Sequence, residues 1–316
     1  MLTFTACRGA VNRFTINQLV DRATEGRDLD AVCGMGRALA LPLSSVTKRD
    51  PHRGLVIAEG VGAMCAEIDA WDFELEADRA KVNLVPLGES RTSEIVDAQI
   101  RARREHARAA ERFERSYQHV ISEFGQPSEE TCADVPERHY FVYQFGLITG
   151  VLALFHDRAA EGAIGIPLDR PQQIARATLC LDDTAWWGMA KALRGASWAT
   201  IPGSAPEGVD PWQLMAEAAD NDTSGIRVAR AIQVLLAANA GKDALVAEGI
   251  GKFVEAESSV DPDPDWLLLD EYAETVVLHQ SDRIWMRQRG HRTERLGVLP
   301  SDETMALEGP DLFGDE

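Results

Sequence analysis

Between Ser93 and Phe124 the residues Ile95, Ala98, Ala102, Ala109, Phe113, Tyr117, Val120 and Phe124 recur at helical spacing. Such a stripe specifies one long amphipathic helix with a single buried face. Ser93 is a plausible N-cap, with Glu94 in the first turn where the helix dipole favours a carboxylate. Arg101, Arg103, Arg104, Arg108, Arg112 and Arg115 alternate with Glu105, Glu111 and Glu114 around it, the pattern of a salt-bridged exposed face. Periodicity of this kind dominates the chain, and β-branched runs with period-two alternation are scarce. The fold class is therefore all-α, with short connectors that suit antiparallel helix packing.

The remaining elements follow from the same period and from breakers. Ile16 to Ala40 reads as two short helices, and Gly54 to about Asp78 as one longer helix. Its later half carries Glu67, Asp69, Asp72, Glu74, Glu76 and Asp78, expected to form a solvated face. Asn83 to Arg91, with Pro86 and Gly88, is a connector. The polar stretch Gly125 to Pro136 is expected to divide an N-terminal helical unit, 1–125, from a C-terminal one, 137–296. Helices are predicted at 137–160, 171–195, 211–220, 224–239 and 242–257. Asp210-Pro211 and Asp263-Pro264 read as capped helix starts, and Gly290 as a stop. Residues 297–316, acidic with Pro300 and Pro310, are expected to form a flexible tail.

The chain has 316 residues, 51 acidic against 32 basic, and a formal charge of −19. That average field repels a nucleic-acid backbone. Tyr140 to Phe155, the most apolar stretch, is shorter than the roughly 20 residues a spanning helix needs, so it is read as a core helix and no membrane association is expected. Phe4-Thr5-Ala6-Cys7 resembles a lipoprotein cleavage site without an adequate apolar region before it, and the N-terminus is read as that of a mature protein. Cysteines at 7, 33, 65, 132 and 180 show no zinc-ligand spacing. The odd, scattered set is read as reduced thiols in a cytoplasmic protein.

A short echo carries the first functional lead. Residues 55–62 read LVIAEGVG and residues 245–251 read LVAEGIG. Each precedes a helix with a carboxylate pair at i and i+3: Glu94 with Asp97, and Glu271 with Glu274. Facing carboxylates of this kind suit Mg²⁺, a hard cation that takes oxygen ligands. The stretch AEGIGKFVEA (247–256) resembles the metal-site helix of the MazG-like all-α nucleoside triphosphate pyrophosphohydrolases. Ala58 to Glu67 and Ser93-Glu94-Ile95-Val96-Asp97 are similar to that helix and to the family's E-x-x-D element. The resemblance covers about a fifth of the chain and implies an Mg²⁺-dependent nucleotide-binding or pyrophosphohydrolase site. Where the family places its E-x-x-E pair this chain has Gly60 and Ala63, or Gly249 and Lys252. The implied metal set is therefore Glu94 and Asp97, with Glu59 and Glu67 as substitutes. The glycines of both segments are read as points of close helix packing.

Two other readings compete. A non-catalytic helical interaction protein would use apolar surface, including Trp186 and Trp187, for a protein partner or for self-association. Arg101-x4-His106 is similar to the signature of the HEPN ribonucleases, in which histidine handles a proton and arginine stabilises phosphorane charge; on so arginine-rich a helix His106 is expected to be an ordinary surface histidine. In the tail, Asp311-Leu312-Phe313 resembles a sliding-clamp-binding peptide. Nucleophile elbows, phosphate loops and paired metal-binding histidines are missing from the sequence.

Overall fold

The computed structural model describes residues 24–46, 52–82, 92–257 and 259–300. Those residues form an all-helical protein with no strand among them. Eleven α-helices run in order: α1 Leu29–Val46, α2 His52–Val82, α3 Thr92–Phe124, α4 Glu129–Asp134, α5 Tyr140–Ala159, α6 Arg170–Ala177, α7 Met189–Thr200, α8 Pro211–Asp220, α9 Val228–Asn239, α10 Asp243–Glu257 and α11 Leu267–Arg289. No helix among the described residues is long and apolar enough to cross a membrane. Cys7, the connector at 83–91 and the Asp311-Leu312-Phe313 motif lie outside the described residues.

The long helix read from the stripe is α3. Ile95, Ala98, Ala102, Ala109, Phe113, Tyr117 and Val120 are buried along one side of it. It packs lengthwise on α2, and α5 lies across α3 on the other side of the stripe. α11 returns to α2 and closes the bundle. The two aspartate caps and the glycine stop hold, whereas the helix expected to be capped by Ser93 begins at Thr92 and takes Ser93 into its first turn. Asp210 accepts the Trp212 N–H at 2.8 Å, Asp263 accepts that of Asp265 at 3.0 Å, and left-handed Gly290 donates to the Met286 carbonyl.

Four elements differ from expectation. The polar stretch at 125–136 contains a short helix, α4, capped by Ser128, and one apolar core runs across it: Val56, Tyr117, Leu147 and Val276 belong to the same cluster. The helix expected at 171–195 is two helices: the first ends at Ala177, and just before the second starts at Met189 the residues Trp186, Trp187 and Gly188 adopt left-handed backbone at φ 51°, 61° and 70°. Two consecutive left-handed tryptophans cost roughly 1–2 kcal/mol apiece. Packing holds them: Trp187 is buried, and Phe141, Trp186, Trp187 and Trp266 form one aromatic cluster with ring centroids 4.5–6.4 Å apart. At the C-terminal end, 297–300 are not loose: Trp285 Nε1 donates to the Val298 carbonyl at 2.9 Å, and Leu299 packs against the core. Finally, four of the five cysteines are paired rather than free, as Cys33–Cys65 and Cys132–Cys180. Partners 32 and 48 residues apart in sequence carry no local signature.

The first disulfide staples the α1–α2 crossing, which is unusually close. A Cβ on Gly36 would lie 2.7 Å from both the Ala58 carbonyl and the Gly62 nitrogen. Arg37 spans the same seam to the Gly62 carbonyl and to Asp69. Gly251, one of the glycines expected to mark close packing, instead has open space around its Cβ position. Gly36→Ala is therefore expected to cost about 1–3 kcal/mol by overpacking against backbone that cannot yield. Gly251→Ala should gain up to about 1 kcal/mol of helix propensity. Urea unfolding of the two variants checks the opposite signs. In protein purified without reductant and then denatured, Cys33, Cys65, Cys132 and Cys180 should resist a thiol reagent until reductant is added, and reducing the two disulfides should lower stability by about 2–4 kcal/mol each.

Candidate functional site

α2 and α3 meet with acidic and basic side chains on both sides of their contact. At the N-terminal end of α3 an open groove of about 490 Å³ is lined by Glu76 and Arg79 from α2 and by Glu94, Asp97 and Arg101 from α3. Glu94 and Asp97 are exposed, one turn apart on the same face. The first turn of α3 favours negative charge there through its unsatisfied N–H groups. Arg101 reaches Glu76 Oε2 at 3.2 Å and lies 3.8 Å over the Phe73 ring, which fixes its guanidinium at the groove edge. Two carboxylates beside two guanidiniums can accept a cation and an anion together.

The other two residues of the expected metal set are elsewhere. Glu59 is buried and bound by Arg112 at 3.3 Å and Arg115 at 3.1 Å. Glu67, 1% exposed, accepts from the Tyr272 hydroxyl at 2.6 Å and lies 2.9 Å from His156 Nε2. Both have spent their lone pairs inside the protein, so neither fits the role of a substitute metal ligand. Among the described residues no three histidine, cysteine or acidic side chains converge on a point that could hold a metal ion. In the C-terminal echo, Glu274 pairs with buried Arg227 at 3.2 Å and Lys252 with Asp220 and Glu248.

Inside the bundle the acidic half of α2 does something the sequence did not disclose. Asp69 and Glu76 are exposed, as a solvated face would be. Glu67 and Glu74, two helical turns apart, instead point inward. Between them lie two histidines, each 4% exposed: His106 from α3 and His156 from α5. Their Nδ1 atoms are 2.8 Å apart, His106 Nε2 is 3.1 Å from Glu74 Oε1, and His156 Nε2 is 2.9 Å from Glu67 Oε1. α11 completes both ends: Tyr272 on Glu67, and His279 Nε2 at 3.3 Å from Glu74 Oε2. Phe113 stacks on His156 and Trp71 on His279. His106 is thus a core residue, not the surface histidine expected. Arg101 and His106 face different surroundings, Arg101 exposed at the groove edge and His106 buried in the core. Of the functional groups in this array, only the seven-residue spacing of Glu67 and Glu74 was available in sequence. Their partners come from helices 32 to 205 residues away.

Burial pushes the Glu74 carboxyl up, but hydrogen bonds from His106 and His279 and the charges of His279 and Arg283 outweigh it and hold Glu74 well below the ordinary value of 4.5. Burial pushes His279 down from 6.5, with Glu74 opposing, and burial and then Glu67 push Tyr272 far above 10.

Compared with family models, curated proteins and solved structures, the chain finds no match.

A carboxyl depressed by folding stabilises the native state above its unfolded value and loses that contribution as pH falls. Glu74→Gln is therefore expected to cost about 1–3 kcal/mol at pH 7. The gap to the parent protein should narrow as pH drops through and below 4.5, which urea titrations at several pH values measure.

Proposed function

We propose that the α2–α3 groove binds an Mg²⁺–nucleoside polyphosphate, as a divergent MazG-like site. The observation that carries this reading is the meeting of Glu94 and Asp97 with Arg79 and Arg101 in one groove. Mg²⁺ rarely uses an all-protein cage; one or two carboxylates plus substrate phosphates and water are its usual set. Glu94 and Asp97 would hold the ion on this reading. Arg79 and Arg101 would meet the phosphate oxygens, where a planar guanidinium matches the geometry. A bound Mg²⁺ supplies charge neutralisation and polarises phosphorus toward attack by water.

Nucleotides are cytoplasmic ligands, and the reading places the protein there. In a reducing cytosol the two disulfides would stand open as thiols, so the thiol count of protein taken directly from cells tests that part.

A second reading, a non-catalytic helical protein with a protein partner, is favoured by the fate of Glu59 and Glu67. Both are consumed as internal ties rather than turned to a cleft. The ribonuclease reading gains no such support, since Arg101 is exposed and His106 buried.

Titration calorimetry with Mg²⁺ and a panel of nucleoside triphosphates, run beside pyrophosphate release, separates the two readings. Asp97→Ala is expected to weaken Mg²⁺-dependent binding at least tenfold and to abolish any release. Arg101→Ala should weaken nucleotide binding with or without metal. A folded parent protein that neither binds nor cleaves any of them overturns the nucleotide reading and favours the second.

A further inference from the structure

The array between Glu67 and Glu74 is a continuous chain of hydrogen bonds between groups that all exchange protons. Its three central contacts are Glu67 Oε1 to His156 Nε2, His156 Nδ1 to His106 Nδ1, and His106 Nε2 to Glu74 Oε1. Each contact is 2.8–3.1 Å and holds one hydrogen, since two facing lone pairs at that distance repel. Three hydrogens thus serve two carboxyl groups and two imidazoles. With both rings neutral, one carboxyl carries a proton and the other does not, and two arrangements satisfy every contact. In the first, Glu67 is the carboxylic acid, His156 carries its hydrogen on Nδ1, His106 on Nε2, and Glu74 is the carboxylate. In the second, all three hydrogens have moved one contact along.

We propose that Glu67, His156, His106 and Glu74 form a buried proton relay with Glu74 as its solvent end. The step balances. The Glu67 Oε1 hydrogen passes to His156 Nε2, the His156 Nδ1 hydrogen to His106 Nδ1, and the His106 Nε2 hydrogen to Glu74 Oε1. No bond between heavy atoms changes, neither ring becomes charged, and the net charge of the array is constant. One proton equivalent has crossed from α2's Glu67 to its Glu74.

The surroundings suit this role. Every ring nitrogen of His106 and His156 is already engaged, which leaves no lone pair for a metal ion. Phe113 stacks on His156 within the array, and Trp71 on His279 beside Glu74. The Glu67 side chain is 1% exposed and the Glu74 side chain 29%, so protons can exchange with solvent at one end only. Tyr272 caps the sealed end. His279 flanks Glu74 at the open end, and Arg283 and Asp282 are the charged groups nearest them on α11. His279 and Arg283 favour Glu74 as the carboxylate, hence the first arrangement at rest, and the Tyr272 hydroxyl donates to Glu67 Oε2 in either arrangement.

Histidine ring ¹⁵N spectra of the full chain decide the matter. The parent protein should show His156 with its hydrogen on Nδ1 and His106 with its hydrogen on Nε2, and a coupling between the two Nδ1 atoms across their shared hydrogen. Glu67→Gln should keep both tautomers, because Glu74 remains the carboxylate that accepts from His106 Nε2, and the new amide turns its NH2 to His156 Nε2. Glu74→Gln should reverse both rings together, because Glu67 is then the one carboxyl of the array left to carry the charge; as a carboxylate it accepts from His156 Nε2, and the new amide turns its NH2 to His106 Nε2. A ring carrying two hydrogens, unchanged tautomers in Glu74→Gln, or a stoichiometric metal ion in the purified protein each overturns the relay. Should either variant fail to fold, the coupling in the parent protein still decides: its absence means the two rings share no hydrogen.

Discussion

Two carboxylates on one helix govern how this bundle closes. Taking an ionised carboxylate out of water costs several kcal/mol even after relaxation. Glu67 and Glu74 can face the core only if other helices deliver hydrogen-bonding partners to them. α3 supplies His106, α5 supplies His156, and α11 supplies Tyr272 and His279. A sliding of any of these helices by one turn would strand a buried charge. The apolar core is non-directional and tolerates such slips better. The polar array therefore fixes the register of four helices, and the Cys33–Cys65 staple then fixes α1 against the same α2.

The legible part of the fold is the part set by local spacing. The α3 stripe, the aspartate caps at 210 and 263 and the glycine stop at 290 depend on residues within one or two turns of each other, and the structure has them as read. What escaped was set at long range. The acidic run on α2 has the composition of a solvated face, and Asp69 and Glu76 behave so. Nothing local distinguishes Glu67 and Glu74 from them, because their burial depends on residues 32 to 205 positions away. The cysteine pairs escaped for the same reason. The left-handed turn at Trp186–Gly188 escaped for another: bulky residues in left-handed backbone run against local preference, and tertiary packing around Trp266 and Phe141 overrides it.

Half of the candidate site was within reach of the sequence. Glu94 and Asp97 share a helical face by their three-residue spacing, and they do line one groove with two arginines. Glu59 and Glu67, eight residues apart, also share a face, but that face is the buried one. Spacing tells which residues lie together on a helix; it does not tell which side of the helix meets water. The arginines decide it for Glu59, since Arg112 and Arg115 sit one turn apart on α3 and reach back over α2.

The same geometry resolves the Arg101 and His106 pair. Five residues along an α-helix is about 140° of rotation, so the two side chains cannot serve a common point on one helix unless a second subunit or a bend intervenes. On α3 they serve neighbouring points on α2 from opposite sides. Arg101 braces Glu76 at the groove edge, and His106 braces Glu74 in the core. Glu74 and Glu76 are themselves two residues apart, about 200° round their helix. The α2–α3 contact thus sorts these four groups into a wet pair and a largely buried pair. The wet pair is screened by water and borders the groove. The largely buried pair sits in a low-dielectric interior, where a hydrogen bond is stronger and an unmade one more costly. One stretch of paired helices accordingly presents an open polar groove on one side and a largely buried hydrogen-bonded array on the other.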